Sequence, residues 1–129
     1  MTTATVEVGG ARVPAELQVP DELPGLPGRS SYRLDTVPDA EGLFTLRSLD
    51  GPDTRLFVVD PAVYLPAYEP RLPADPTGAE HRTLVVVHPP AGDEPATANL
   101  LAPIVVDVAT GVAVQTVLDG DWPLRAPLG

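Results

Sequence analysis

The sequence predicts an all-β protein, a single small antiparallel β-barrel-like domain over residues 1–129 with very little helix. Three observations predict it. Apolar residues alternate with polar ones in run after run, the period-2 signature of half-buried strands. Turn chemistry separates these runs at short intervals. The 17 prolines fall singly or in pairs between the apolar runs, and an interior proline breaks a helix by removing a donor and clashing with the preceding turn.

Each element follows from local pattern. Ala4, Val6 and Val8 alternate with Thr5 and Glu7, and Gly9-Gly10 supplies a two-residue hairpin turn. Val13, Ala15, Leu17 and Val19 form the returning face, with Pro14 demoting this strand to an edge or a bulge. Residues 20–28 read as a Pro/Gly loop anchored by Leu23 and Leu26. Tyr32, Leu34 and Thr36 mark a third strand, Phe44 and Leu46 a fourth, and Asp50-Gly51-Pro52-Asp53 a turn.

Leu56-Phe57-Val58-Val59 is apolar on both faces, as expected of a central strand. Asp60-Pro61 ends it. Residues 62–76 read as an ordered, proline-fixed excursion and residues 77–81 as one helical turn. Leu84-Val85-Val86-Val87 is a second doubly apolar strand. Residues 104–108, a Thr110-Gly111 turn, and an apolar face of Val112, Val114, Thr116 and Leu118 complete a last hairpin. The expected core residues include Phe57, Val59, Leu84, Val86 and Ile104. About eight short strands separated by turns argue for a barrel or sandwich.

Composition excludes several classes of function. There is no cysteine, so Zn–Cys sites, cysteine nucleophiles and disulfide scaffolds are excluded. All eight basic residues are arginine, against 18 acids, for a net charge of −10. Nucleic-acid binding needs a basic stripe, and anionic membrane surfaces are disfavoured for the same reason. The acidity instead suits a basic protein partner, although it also serves solubility. Without lysine, no Walker-type or Schiff-base lysine exists. No apolar run reaches the roughly 18 residues of a membrane span, and Met1-Thr2-Thr3-Ala4-Thr5 lacks the marks of a secretory signal. The expected location is the cytoplasm.

Candidate chemistry is sparse. His81 and His88 are two imidazoles where a catalytic zinc wants three ligands. Ser30, Ser31 and Ser48 lack a nucleophile elbow. The pairs Asp50/Asp53 and Asp119/Asp121 sit at turns, where aspartate is structurally favoured. Neither metal nor cofactor is expected, and the protein is expected not to be an enzyme. The unusual segment runs from Val59 to Pro70 and gathers prolines, acids and two tyrosines. Tyrosine joins contact area to a polar tip, which suits an interface. Asp60, Tyr64, Tyr68 and Glu69 are therefore candidate partner-binding residues. Capping of one barrel end by Tyr64 and Leu65 is the structural alternative.

Four ordered blocks then resemble one family. They are Leu26-Pro27-Gly28, the strand running from Leu43 to Asp50, Phe57-Val58-Val59-Asp60-Pro61 followed by Pro66-Ala67-Tyr68-Glu69, and residues 97–106 with Gln115–Leu118 and Pro123-Leu124-Arg125 behind them. Together they span nearly the whole chain and are similar to the flagellar assembly factor FliW family. Arg29, Arg47 and Asp107 depart from its usual aromatic, Gln and Asn. The resemblance implies a cytoplasmic protein, monomeric when free, that binds flagellin. When unoccupied it binds the RNA-binding regulator CsrA and relieves repression of flagellin mRNA, with no direct nucleic-acid contact. Asn99, Leu100 and Pro103 in the last block join the candidate partner-binding residues. A small-molecule-binding barrel would instead need an apolar cavity, and a small hydrolase three convergent polar groups.

Overall fold

The computed structural model describes residues 4–8, 10–20, 30–50, 54–65, 68, 80–90, 92–93, 95–118, 121–123 and 125–127. Within them lie eleven β-strands and one four-residue helix. β1 (Thr5–Val8) and β2 (Ala11–Pro14) form the expected hairpin, with Val8 opposite Ala11. At Ala15 the chain changes partner: its N–H donates to Ala4 at 2.9 Å while its carbonyl accepts from Leu34 at 2.7 Å. Pro14, which has no N–H to give, marks that break. β3 (Glu16–Gln18) then pairs with β4 (Ser31–Thr36).

From β4 the sheet runs antiparallel through β5 (Leu43–Ser48), β6 (Arg55–Val59) and β7 (His81–His88) to β9 (Ile104–Asp107) and β10 (Ala113–Gln115). The short strands β8 (Thr97–Ala98) and β11 (Ala126–Pro127) attach beside β7. The two ends of the path meet at a single parallel bridge between Gln18 and Val112, where Gln18 N–H donates to the Gly111 carbonyl at 3.0 Å. Among the described residues the barrel is joined by one bridge rather than closed by a ladder. The nearly all-β expectation holds.

The inner faces of these strands make the first core. Tyr32, Leu17, Leu34, Leu46, Val58, Leu84 and Ile104 are almost completely buried in it. A second cluster lies on the outer face of β6 and β7, where Val59, Val85, Val87, Ala98 and Leu100 are packed beneath Leu65, Tyr68, Trp122 and Ala126. This explains why two strands are apolar on both faces: each contributes alternate residues to a different cluster. Val59, Leu84 and Ile104 are buried as expected. Phe57 and Val86, also expected in the core, are only partly buried, Phe57 because it sits at the rim of the outer cluster. The range of about 3–5 kcal/mol for truncating a buried Phe is therefore an upper bound at this position.

Three other expectations need correction. In the last hairpin Ala113 is fully buried, whereas Val112 and Val114 are exposed. A three-residue strand has no room for the longer alternation, and the Gln18–Val112 bridge sets its phase. His81 belongs to β7 rather than to a helical turn, because its backbone pairs with Asp107; residues 77–79 lie outside the described residues. Leu65 packs over the outer face of β6–β7, not at a barrel end. Leu23, Leu26 and the Leu26-Pro27-Gly28 block also lie outside the described residues.

Asp50 ties β4 to the turn after β5. Its carboxylate accepts from the backbone N–H groups of Ser30 and Ser31, each at 3.1 Å, and from the Ser30 hydroxyl at 2.9 Å. These donors, the Ser31 N–H first, hold its pKa below the ordinary carboxylate value. A depressed folded pKa means stability that is present above the unfolded value and lost as pH falls through the folded one. Asp50→Asn should therefore flatten the acid limb of the stability–pH curve below about pH 4, which urea melts at stepped pH will read.

Candidate functional site

Asp60-Pro61 does what its residue types dictate. The Asp60 carboxylate accepts from Ala62 N–H at 2.9 Å and caps the N-terminus of α1 (Pro61–Tyr64), with proline at its first position. Asp60 is 7% exposed, and its N–H donates to the Gly42 carbonyl at 2.8 Å. It is a largely buried joint that sets α1 against the β4–β5 connection. Leu65 N–H closes the turn on Pro61 at 2.7 Å.

α1 stands between two concavities: Ala62 and Val63 line one, Tyr64 lines the other, and Leu43 touches both. The concavity at Tyr64 is an apolar groove of about 370 Å³. Its walls include Phe57, Val59, Val87, Pro89 and Pro90. Tyr64 is 39% exposed there, so an aromatic ring offers itself to solvent above an apolar floor. Such an arrangement suits a protein partner that inserts an apolar side chain.

Tyr68 is placed differently. Its hydroxyl donates to the Leu100 carbonyl at 2.6 Å, and its ring meets Trp122 edge-on with centroids 4.9 Å apart. Burial pushes the Tyr68 hydroxyl up to about 12. Tyr68 thus clasps the second cluster together, joining the excursion to the loop of residues 99–103 and to the C-terminal segment. Leu100 is buried in the same clasp, and its N–H donates to the Pro123 carbonyl at 3.0 Å.

Residues 99–103 form a bulging connection from β8 to β9 beside β7. Asn99 shapes the bulge, its side-chain oxygen accepting from Leu101 and Ala102 N–H at 3.1 Å each. Pro103 is buried, and its carbonyl accepts from Thr116 at 2.9 Å. The structure therefore brings Tyr68 and Leu100 together and sets Tyr64 on a neighbouring open groove. Glu69 lies outside the described residues. Sequence reasoning missed Trp122, Phe57 and Leu43. The outward phase of Phe57 on a doubly apolar strand and the single tryptophan were the available signals.

The other candidates have structural uses. The Ser31 hydroxyl donates to Gln18 at 3.0 Å, and the Ser48 hydroxyl accepts from Thr54 N–H at 2.9 Å. His81 and His88 occupy opposite ends of β7, roughly 23 Å apart at strand rise. Among the described residues no group of three or more His, Cys, Asp or Glu could hold a metal ion. Asp53 and Asp119 lie outside the described residues. Asp107 accepts from Ala109 and Thr110 N–H at 2.8 and 3.1 Å, so aspartate makes at this turn the bonds an asparagine side-chain oxygen would make.

The model of the FliW protein family matches residues 2–128. The chain belongs to the FliW family. It is 33% identical over 128 residues to flagellar assembly factor FliW 2 of Desulfotalea psychrophila, covering 89% of this chain and 82% of that one. It is 28% identical over 116 residues to flagellar assembly factor FliW of Carboxydothermus hydrogenoformans, covering 84% and 75%. A crystal structure of the flagellar assembly factor FliW superposes with a TM-score of 0.74 at 21% identity, covering 89% of this chain and 86% of the other. That likeness concerns the fold, which FliW thus shares with this chain. Among the described residues no helix is long and apolar enough to cross a membrane.

Proposed function

We propose that this FliW-family protein is a non-catalytic assembly factor that works in the cytoplasm by exchanging protein partners. It binds flagellin, and when free of flagellin it binds a CsrA-type regulator and relieves repression of flagellin mRNA. The family match over residues 2–128 carries this reading. The net charge of −10 supports a basic partner, and the exposed Tyr64 beside an apolar groove offers a protein partner a contact surface. Coupling the two partners needs only about 1–3 kcal/mol.

Calorimetry of the purified protein with flagellin and with the regulator tests this directly. Each should bind the wild type. Tyr64→Asp should weaken at least one complex tenfold or more, about 1.4 kcal/mol, while an exposed substitution leaves stability within about 0.5 kcal/mol. Glu69→Arg, argued from sequence, should cost the regulator at least about 2 kcal/mol of binding through like-charge contact. Absence of binding to both proteins overturns the reading.

A further inference from the structure

The concavity on the Val63 side of α1 lies outside the surface assigned above. Its volume is about 750 Å³, and it is framed by the β1–β2 hairpin, the β4–β5 connection and α1. Glu7, Asp39 and Glu41 line it and are all exposed, and no cationic side chain lines it among the described residues. Arg12 stands across the ladder from Glu7 but is not one of its walls. The largely buried Asp60 also lines it, and between the acids stand the aliphatic Val37, Ala40 and Val63 with Thr36 and Phe44 beside them. Val63 is 46% exposed and belongs to neither core cluster.

The groove is also preformed. Within the β4–β5 connection Val37 N–H donates to Leu43, Ala40 to Val37, and Leu43 to Ala40, at 3.1–3.2 Å. Asp39 is held at φ +62°, a left-handed conformation that aspartate tolerates better than most residues. The connection touches α1 so closely that a Cβ on Gly42 would fall 2.9 Å from the Val63 side chain. The backbone carrying Asp39 and Glu41 is fixed this way and loses little freedom when a ligand docks.

We propose that this groove binds an extended basic segment of another protein. Arginine or lysine side chains of that segment pair with Glu7, Asp39 and Glu41, and one aliphatic side chain packs on Val63 and Ala40. Charge complementarity selects the occupant: the walls are anionic and aliphatic, and the chain carries a net charge of −10, so nucleic acid and anionic lipid are repelled. A second copy of the chain would bring the same net charge and is disfavoured.

Fluorescence anisotropy with a labelled dodecapeptide of Arg, Leu and Ser tests it at about 0.1 M salt, where long-range charge is largely screened. The same peptide with Glu for Arg is the control. The variant Glu7→Gln/Asp39→Asn/Glu41→Gln should weaken binding at least tenfold. The variant Glu16→Gln/Asp93→Asn/Asp121→Asn has the same net charge and should change it less than twofold. Val63→Ser, a single exposed substitution, should weaken it several-fold even if the triple variant proves unstable in a melting curve. The Glu peptide should not bind. Equal losses in the two triple variants, or unchanged affinity in the groove variants, would overturn the proposal. Because Tyr64 is untouched, failure here leaves the flagellin and regulator measurements to be judged separately.

Discussion

Leu84→Ala is expected to cost about 2–5 kcal/mol of stability, a large share of the roughly 5–15 kcal/mol that holds a domain together. Leu84 is 0% exposed in the barrel core and lies opposite Ile104 across the β7–β9 ladder. β7 pairs with β6, β8 and β9, so a void beneath it has no loose neighbour to fill it. The lost methyl groups and the residual cavity then both count. Urea unfolding should show a lower midpoint with an unchanged slope, because the surface exposed on unfolding is unaltered. A loss below about 1 kcal/mol would place Leu84 outside the core. Trp122 reports the outer cluster by fluorescence, whereas far-UV dichroism reports the strands. The two transitions should coincide, since β6 and β7 belong to both clusters.

Gly111→Ala should be nearly as damaging, and Gly10→Ala serves as its control. Both glycines have positive φ, +79° at Gly111 and +82° at Gly10. An alanine in that conformation costs roughly 1–2 kcal/mol from backbone sterics alone. Around Gly10 an added Cβ meets nothing within 4 Å, whereas at Gly111 it would stand 2.9 Å from the Glu16 carbonyl oxygen. That contact lies where the two ends of the sheet path join, since the Gly111 carbonyl accepts from Gln18. Gly111→Ala should therefore exceed Gly10→Ala by about 1–3 kcal/mol, the usual cost of overpacking. Equal effects would mean that the junction yields freely and that the single bridge does little to hold the sheet ends together.

Much of the fold was legible because its strands obey local rules. Val6, Val8, Val13, Ala15, Leu17 and Val19 are buried in the phase that alternation requires, and the Pro14 break fell where a missing donor would put it. What could not be read locally was which face belonged to which core. Phe57 and Val59 were grouped with Leu84, Val86 and Ile104, although the first pair faces the outer cluster. Only the covering segments, Tyr68 and Trp122 among them, create that second interior, and they come from distant parts of the chain. The Val112/Val114 phase failed for a similar reason, because a long-range bridge to Gln18 overrode the local pattern.

The candidate site was partly legible. Tyrosines in a proline-fixed segment drew attention to this stretch, and Tyr64 lines an open apolar groove there. Composition cannot separate a residue that presents itself from one that holds others in place. Asp60 is spent on capping α1, Asn99 on shaping its bulge, and Tyr68 on the Leu100 carbonyl and the Trp122 ring. These roles become visible only when a carboxylate or hydroxyl can be followed to its partner.

The proposed function places the docking of other proteins on the surface around Tyr64. Hydrogen exchange of the purified protein, alone and then saturated with flagellin or with the regulator, tests it most directly. New protection with at least one partner is expected on the backbone of residues 57–59, 64–65 and 87–88, while the inner strands near Leu34 and Leu46 stay unchanged. Protection by neither partner, or protection confined to segments away from Tyr64, would contradict it.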